Sequence, residues 1–272
     1  GGKLPSSFVQ LVNGAIYNIR FEGQDAAGNS VPEAVIKNIN FDNEVPVVSI
    51  ISPLSESYIN EPSILYNLSE NLISGKIILT RISGKADKNS PHSITLTDND
   101  RIAGDNAIFG IKWVDGTTYS LAFLFANDRA GNTSKPIKVN KISYDATPPL
   151  ISIDNINNNK HIRYNTLSYT LSESLLNGTI TFTQIGGTAD PRSPQKIELT
   201  GTELKMGDFI KKQLANGPSL VNGAIYDITF TGADPAGNEA IPINISNVNF
   251  DNEPPVMSIS RPIDSEQIKT TI

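Results

Sequence analysis

Ala224-Ile225-Tyr226-Asp227-Ile228-Thr229-Phe230-Thr231, followed closely by Asp234-Pro235-Ala236-Gly237-Asn238, decides how this chain folds. Tyr226, Ile228 and Phe230 alternate with Asp227, Thr229 and Thr231. A period of two places the three large apolar groups on one face of an extended strand, the mark of a strand buried on one side. The second segment is turn chemistry. Gly237 enters positive φ without steric cost, Asn238 tolerates it, and the Asp234 carboxylate can accept backbone N–H groups from the turn. The stretch reads as one arm of a hairpin that returns through Ile243–Phe250, with Ile245, Val248 and Phe250 on its apolar face.

The same stretch occurs three times. Asp25-Ala26-Ala27-Gly28-Asn29 and Asp128-Arg129-Ala130-Gly131-Asn132 match Asp234–Asn238. Val12-Asn13-Gly14-Ala15-Ile16-Tyr17 returns as Val221–Tyr226, with Val114–Tyr119 between them. Tyr66-Asn67-Leu68-Ser69-Glu70 matches Tyr169-Thr170-Leu171-Ser172-Glu173. Each unit closes on an aromatic-Asp pair (Phe41-Asp42, Tyr144-Asp145, Phe250-Asp251) with a proline soon after. A period near 105 residues is a whole domain rather than a solenoid unit of about 20–50 residues. The closing pairs divide the chain into residues 1–45 (the last strands, E to G, of one unit), two complete units at 46–148 and 149–254, and the start of another at 255–272. Neither partial unit holds a full core, so the sequence reads as a piece of a longer array.

Within the unit 149–254 seven strands are expected. They are A (150–153), B (167–171), C (178–184), D (196–200), E (209–214), F (224–231) and G (243–250). No segment shows a helical stripe with caps. Seven short strands, turn clusters and about 105 residues fit an all-β chain of tandem immunoglobulin-like Greek-key sandwiches in an elongated array. A unit of this size buries enough surface to fold alone. The 20 Gly and 17 Pro suit such a turn-rich chain.

Composition excludes several functions. A net charge of −6 argues against nucleic acid or an anionic membrane as partner. No apolar run is long enough for a membrane span. The absence of cysteine rules out disulfides, Cys-ligated zinc and a thiol nucleophile.

The D-x-A-G-N turn, the preceding Y-x-I-x-F strand and the closing F/Y-D…P linker resemble bacterial Ig-like repeats. The resemblance covers both complete units and the visible parts of the flanking ones. Such repeats stand in tandem in large surface adhesins and other exported proteins, which implies an extracellular or cell-surface location.

Tracing chain direction brings the B–C loop, the F–G turn and the incoming linker to one pole of each sandwich. At the first junction this gathers Asp42, Glu44, Glu70 and Asp128; at the second, Asp145, Glu173 and Asp234. Converging carboxylates repel, by about 1 kcal/mol per pair at 4 Å even in water. Oxygen ligands from several loops, without Cys or a repeated His, suit Ca²⁺. Tandem Ig-like and cadherin-like arrays are known to stiffen junctions with calcium, and this arrangement is similar. The bland alternative makes the Asp residues turn-formers and the Glu residues solvated loop groups. Thr147 replaces the second linker carboxylate at the middle junction, where Glu44 and Glu253 stand at the others.

Other candidates are weaker. Asp87 and Asp190 read as turn residues before Ser-Pro. His92 is matched by Gln195 and His161 by Tyr58, and nothing in the sequence pairs either histidine with an acid, so no Ser-His-Asp triad is expected. Trp113 offers either a stacking platform for sugar or a packed edge residue. The leading functional reading is a spacer: stalk or filament repeats of a surface protein, stiffened by proline-restricted linkers. Its partners would be neighbouring repeats, other copies in a fibre by strand exchange, and a host or cell-surface ligand that the sequence does not name. The alternatives are a glycan- or protein-binding module and accessory domains of a secreted hydrolase. No enzyme is expected within these residues.

Overall fold

The computed structural model describes residues 9–214, 216–260, 264, 265, 267 and 269. The chain forms two compact units, residues 1–146 and 147–272.

The first unit contains β1 (Ile16–Phe21), β2 (Ala34–Asn40), β3 (Val48–Ser52), β4 (Tyr58–Ile59), β5 (Ile64–Leu68), β6 (Ser74–Gly84), β7 (His92–Thr95), β8 (Gly104–Ile108), β9 (Thr117–Asn127) and β10 (Ile137–Tyr144). β1 and β2 form an antiparallel pair. The other strands build a sandwich of a three-stranded sheet, β3-β5-β8, and a five-stranded sheet, β4-β10-β9-β6-β7. The second unit contains β11 (Ile151–Ile153), β12 (His161–Ile162), β13 (Leu167–Leu171), β14 (Asn177–Gly187), β15 (Gln195–Glu198), β16 (Gly207–Lys212), β17 (Ala224–Ala233) and β18 (Ile243–Phe250). Its sheets repeat the arrangement, as β11-β13-β16 and β12-β18-β17-β14-β15. Each sandwich also has a short 3-10 turn ahead of β8 or β16.

The alternation in 224–231 does what its pattern requires. Tyr226, Ile228 and Phe230 are fully buried; Leu167, Tyr169 and Leu171 meet them from the opposite sheet, and Ile180 and Phe182 flank them on the paired strand of their own sheet. The first sandwich fills its core the same way with Tyr66, Ile77, Leu79, Tyr119, Leu121 and Phe123. In the β1–β2 pair the equivalent Ile19 and Phe21 are exposed, because no second sheet faces them among the described residues. The strand E expected within 1–45 reaches residues outside the described ones. Val256 and Ile259, in the stretch expected to open a further unit, are also exposed and carry no strand.

Two features depart from the expectation. Strand E lies at Gly207–Lys212 rather than 209–214, because Gly207 pairs with Leu171 and Leu214 leaves the strand to enter the core. The fourth strand, whose sheet the sequence left open, pairs with the third and joins the five-stranded sheet. Two short strands, β4 and β12, run parallel to the last strand of each sandwich and close its edge.

Candidate functional site

The three D-x-A-G-N turns share one construction. Asp25, Asp128 and Asp234 each accept, through Oδ1, the N–H of the Asn four residues on at 2.8, 2.8 and 2.9 Å. Through Oδ2 each accepts that residue's side-chain amide at 2.8, 2.7 and 2.8 Å. The Asp N–H donates back to the Asn carbonyl in every case. Gly28, Gly131 and Gly237 supply the positive φ, at 85°, 96° and 92°. The carboxylate thus replaces the missing backbone partners of a tight hairpin. Burial pushes the Asp128 carboxyl up. The Asn132 side chain and the N–H groups of Asn132, Gly131 and Ala130 outweigh this and hold it below its ordinary value.

The Leu-Ser-Glu motif places the next acid. Ser69 N–H donates to Val47 O, and Val47 N–H donates to Ser69 Oγ at 2.9 Å. Ser172 and Leu150 make the same exchange. This clamp fixes the loop after β5 and sets Glu70 beside the turn. Asp42 arrives from the segment after β2, where its carbonyl accepts from Asn132 Nδ2 at 3.3 Å. The result is a group of three carboxylates, Asp42, Glu70 and Asp128, whose nearest oxygens all lie within 4.8 Å of one another. A shallow cleft of about 320 Å³, lined by Asn13, Asp42, Glu44, Ser69 and Glu70, opens beside them. Burial raises the Glu70 carboxyl, and the charges of Asp128, Asp42 and Glu44 raise it further. Repulsion at this spacing is roughly 1–4 kcal/mol per pair, depending on local polarity. An oxygen-seeking cation would relieve it.

The remaining candidates fall as follows. Glu44 is exposed and stands outside the group of three, though its charge is felt at Glu70. Asp145 lies in the first unit, half-buried just past β10, with its N–H on Ile59 O. Glu173 and Asp234 lie in the second unit, Glu173 half-buried after β13 and Asp234 fully buried in its turn.

A further arrangement was not legible in the sequence. Asp87 and Asp190 turn inward. Asp87 Oδ2 accepts from the Tyr119 hydroxyl at 2.8 Å and contacts His92 Nε2 at 2.6 Å. Asp190 Oδ2 accepts from Tyr226 at 2.9 Å and from Gln195 Nε2 at 2.5 Å. The expectation that no acid partners His92 is therefore corrected: His92 and Gln195 hold the same place against a buried carboxylate. Trp113 is buried edge-on to Tyr119, with ring centroids 5.0 Å apart, so it offers no exposed stacking face.

A family model described as "Bacterial Ig-like domain (group 3)" matches residues 105–244, just over half of the chain. The chain belongs to this family. In these bacterial Ig-like units the match runs from β8 of the first sandwich into β18 of the second. No curated protein matches the sequence. Among solved structures, the chain is similar to the FN1–FN3 domains of chicken CNTN1, with TM-score 0.34 and 11% identity, covering 85% of this chain and 78% of that one. It is similar to the fibronectin(III)-like modules of Clostridium thermocellum CbhA, with TM-score 0.34 and 14% identity, covering 78% and 100%. Dimeric latent PorU from Porphyromonas gingivalis gives TM-score 0.26 at 10% identity, covering 84% of this chain and 26% of that one. Among the described residues, no helix is long and apolar enough to cross a membrane.

Proposed function

We propose that these bacterial Ig-like units are structural spacer repeats of an exported surface protein, of the adhesin-stalk or filament kind, and carry no chemistry of their own. The observation behind this reading is what the repeats preserve. The Asp-locked turn occurs three times with nearly identical hydrogen bonds. So does the bond from a backbone N–H to a tyrosine hydroxyl five residues on, at Val12–Tyr17, Val114–Tyr119 and Val221–Tyr226. Both are devices for holding a sandwich together. Where the units differ at His92 and Gln195, the replacement keeps the same contact with a buried carboxylate.

In this reading Ca²⁺ sits among Asp42, Glu70 and Asp128. It neutralises their repulsion and ties the segment after β2 to the loop after β5 and the turn after β9. Extracellular modules bind calcium at about 10⁻⁴–10⁻³ M, which suits a site of three carboxylates completed by water and carbonyl oxygens. Location is tested by immunogold labelling of intact cells that express the full-length gene, with an antibody raised against this chain. Gold on the outer surface is the expected result, and gold confined to the cell interior would rule the spacer reading out.

A further inference from the structure

The two complete sandwiches share a backbone plan but differ on one outer face. In the first unit four residues cross the five-stranded sheet in a single row: Tyr58 beside Ser143, Ser143 beside Thr118, and Thr118 beside Ser83. Ile59, Ile142 and Tyr119, their neighbours along the chain, belong to the core, so the row faces outward. The same row in the second unit reads His161, Asn249, Ile225 and Gly186. The tyrosine and its line of three hydroxyls are therefore peculiar to the first unit.

Two strained residues stand beside that row. Glu56 and Lys141 have φ of 63° and 57°, in the left-handed region. Their counterparts in the second unit are Asn159 at 61° and Asn247 at 59°. A shared bond fixes the equivalence: the Glu56 N–H donates to Asn140 O and the Asn159 N–H to Ser246 O, both at 2.9 Å. Asn38, at 60°, holds the Lys141 position in the β1–β2 pair. Asn enters left-handed backbone readily, whereas Glu and Lys are strained there. The first unit carries this strain at two positions whose side chains meet, with Lys141 Nζ donating to Glu56 Oε1 at 2.9 Å. Both groups are exposed, and an exposed ion pair adds little stability. Strain kept without a return in stability points to a functional site. The row and the ion pair line one open cleft of about 530 Å³.

We infer that this cleft binds a neutral, equatorially linked oligosaccharide. Tyr58, 55% exposed at one end of the row, offers a ring on which the apolar C–H face of a sugar packs. The hydroxyls of Ser143 and Thr118, 3.4 Å apart, and that of Ser83 each give and accept hydrogen bonds. Glu56 adds a strong acceptor and Lys141 a strong donor. Their charges cancel, so the cleft favours a neutral ligand over an ionic one. The row crosses three inter-strand spacings of about 4.8 Å each. That is a straight track, and equatorial linkages keep a sugar chain straight.

The probes are cellotetraose and chitotetraose, with sialyllactose as the anionic control, titrated into the ¹⁵N-labelled 272-residue chain. Saturable amide shifts at residues 56–59, 83, 118 and 141–143 are expected with at least one neutral probe, half-complete at or below about 1 mM. Tyr58→Ala should weaken binding about tenfold or more, as loss of an aromatic anchor does, and Tyr58→Phe should keep most of it. Thr118→Ile, which copies Ile225 of the second unit, should abolish binding. The double variant Glu56→Asn, Lys141→Asn should melt no lower than the parent chain yet bind several-fold more weakly, which a merely structural ion pair would not do. Absence of saturable shifts with both neutral probes would overturn the inference. So would binding unchanged in Tyr58→Ala or Thr118→Ile, or a double variant that binds as well as the parent. Sialyllactose binding as tightly as the neutral probes would overturn it too, because charge would then be steering the ligand.

Discussion

The hydroxyl of Tyr119 donates to Asp87 Oδ2 at 2.8 Å while accepting the Val114 N–H at 2.9 Å. One phenol therefore ties the loop after β6 to the segment before β9, across the closed end of the sandwich. Tyr226 does the same between Asp190 and Val221. Tyr119→Phe keeps the ring packing and removes both bonds. It leaves a backbone donor without its partner and a buried carboxylate with one donor fewer. The expected loss is about 2–3 kcal/mol, since a bond to a charged group contributes roughly 1.5–3 kcal/mol. Urea unfolding should show it in Tyr119→Phe and Tyr226→Phe alike. His92→Gln imports the arrangement of the second sandwich and should change stability by no more than about 0.5 kcal/mol.

Acid should unfold these sandwiches through the same carboxylates. At Asp87, burial raises the carboxyl, but the bonds from His92, Tyr119 and the Asn89 N–H together hold it below its ordinary 3.8. At Asp190, the Arg192 N–H, Gln195 and Tyr226 outweigh burial in the same way. A carboxyl depressed in the folded state contributes stability that is fully present above its unfolded value and is lost as pH falls through its folded value. Melting temperature should therefore hold near pH 5 and drop below about pH 4. Asp87→Asn should flatten part of that drop, as followed by circular dichroism across pH 2–6.

The two sandwiches each bring backbone to backbone at one glycine. A Cβ on Gly187, where φ is +71°, would land on the carbonyl oxygen of Gly223; Gly84 stands in the same relation to Gly116. Gly187→Ala must push the two strands apart, at about 3 kcal/mol or more. A Cβ on Gly131, where φ is +96°, would meet nothing within 4 Å. Gly131→Ala should lose only the left-handed penalty, about 1–2 kcal/mol. Thermal melts of the two variants separate clash from conformational strain.

Much of this was legible in one dimension. The alternation of Tyr226, Ile228 and Phe230, the Gly and Asn of the turn, and the Pro that opens each unit went with six strands, A to D, F and G, placed within a few residues. β12 escaped because two residues, His161 and Ile162, are too few to show a period. Strand E slipped because Phe209 and Leu214 are both apolar, and only the pairing of Gly207 with Leu171 tells strand from core-filling loop. The pole where Asp42, Glu70 and Asp128 meet followed from strand direction alone. The Asp87–Tyr119 lock did not, because its partners are 32 residues apart and each has a sufficient local explanation, a turn for one and a core ring for the other.

Glu70 separates the calcium account from the bland one. Its carboxyl is raised by burial and by Asp128, Asp42 and Glu44, so its charge opposes folding when no cation is present. Glu70→Gln should therefore raise the melting temperature in EDTA and at the same time lower the gain from calcium. A purely solvated Glu70 would give no change in either.

The most direct test is the melting temperature of the 272-residue chain in EDTA and in calcium at about 1–5 mM, above the range expected for extracellular modules. The account predicts a clear rise with calcium that shrinks in Glu70→Gln. Identical melting curves in EDTA and calcium, or a rise fully retained in Glu70→Gln, would contradict it.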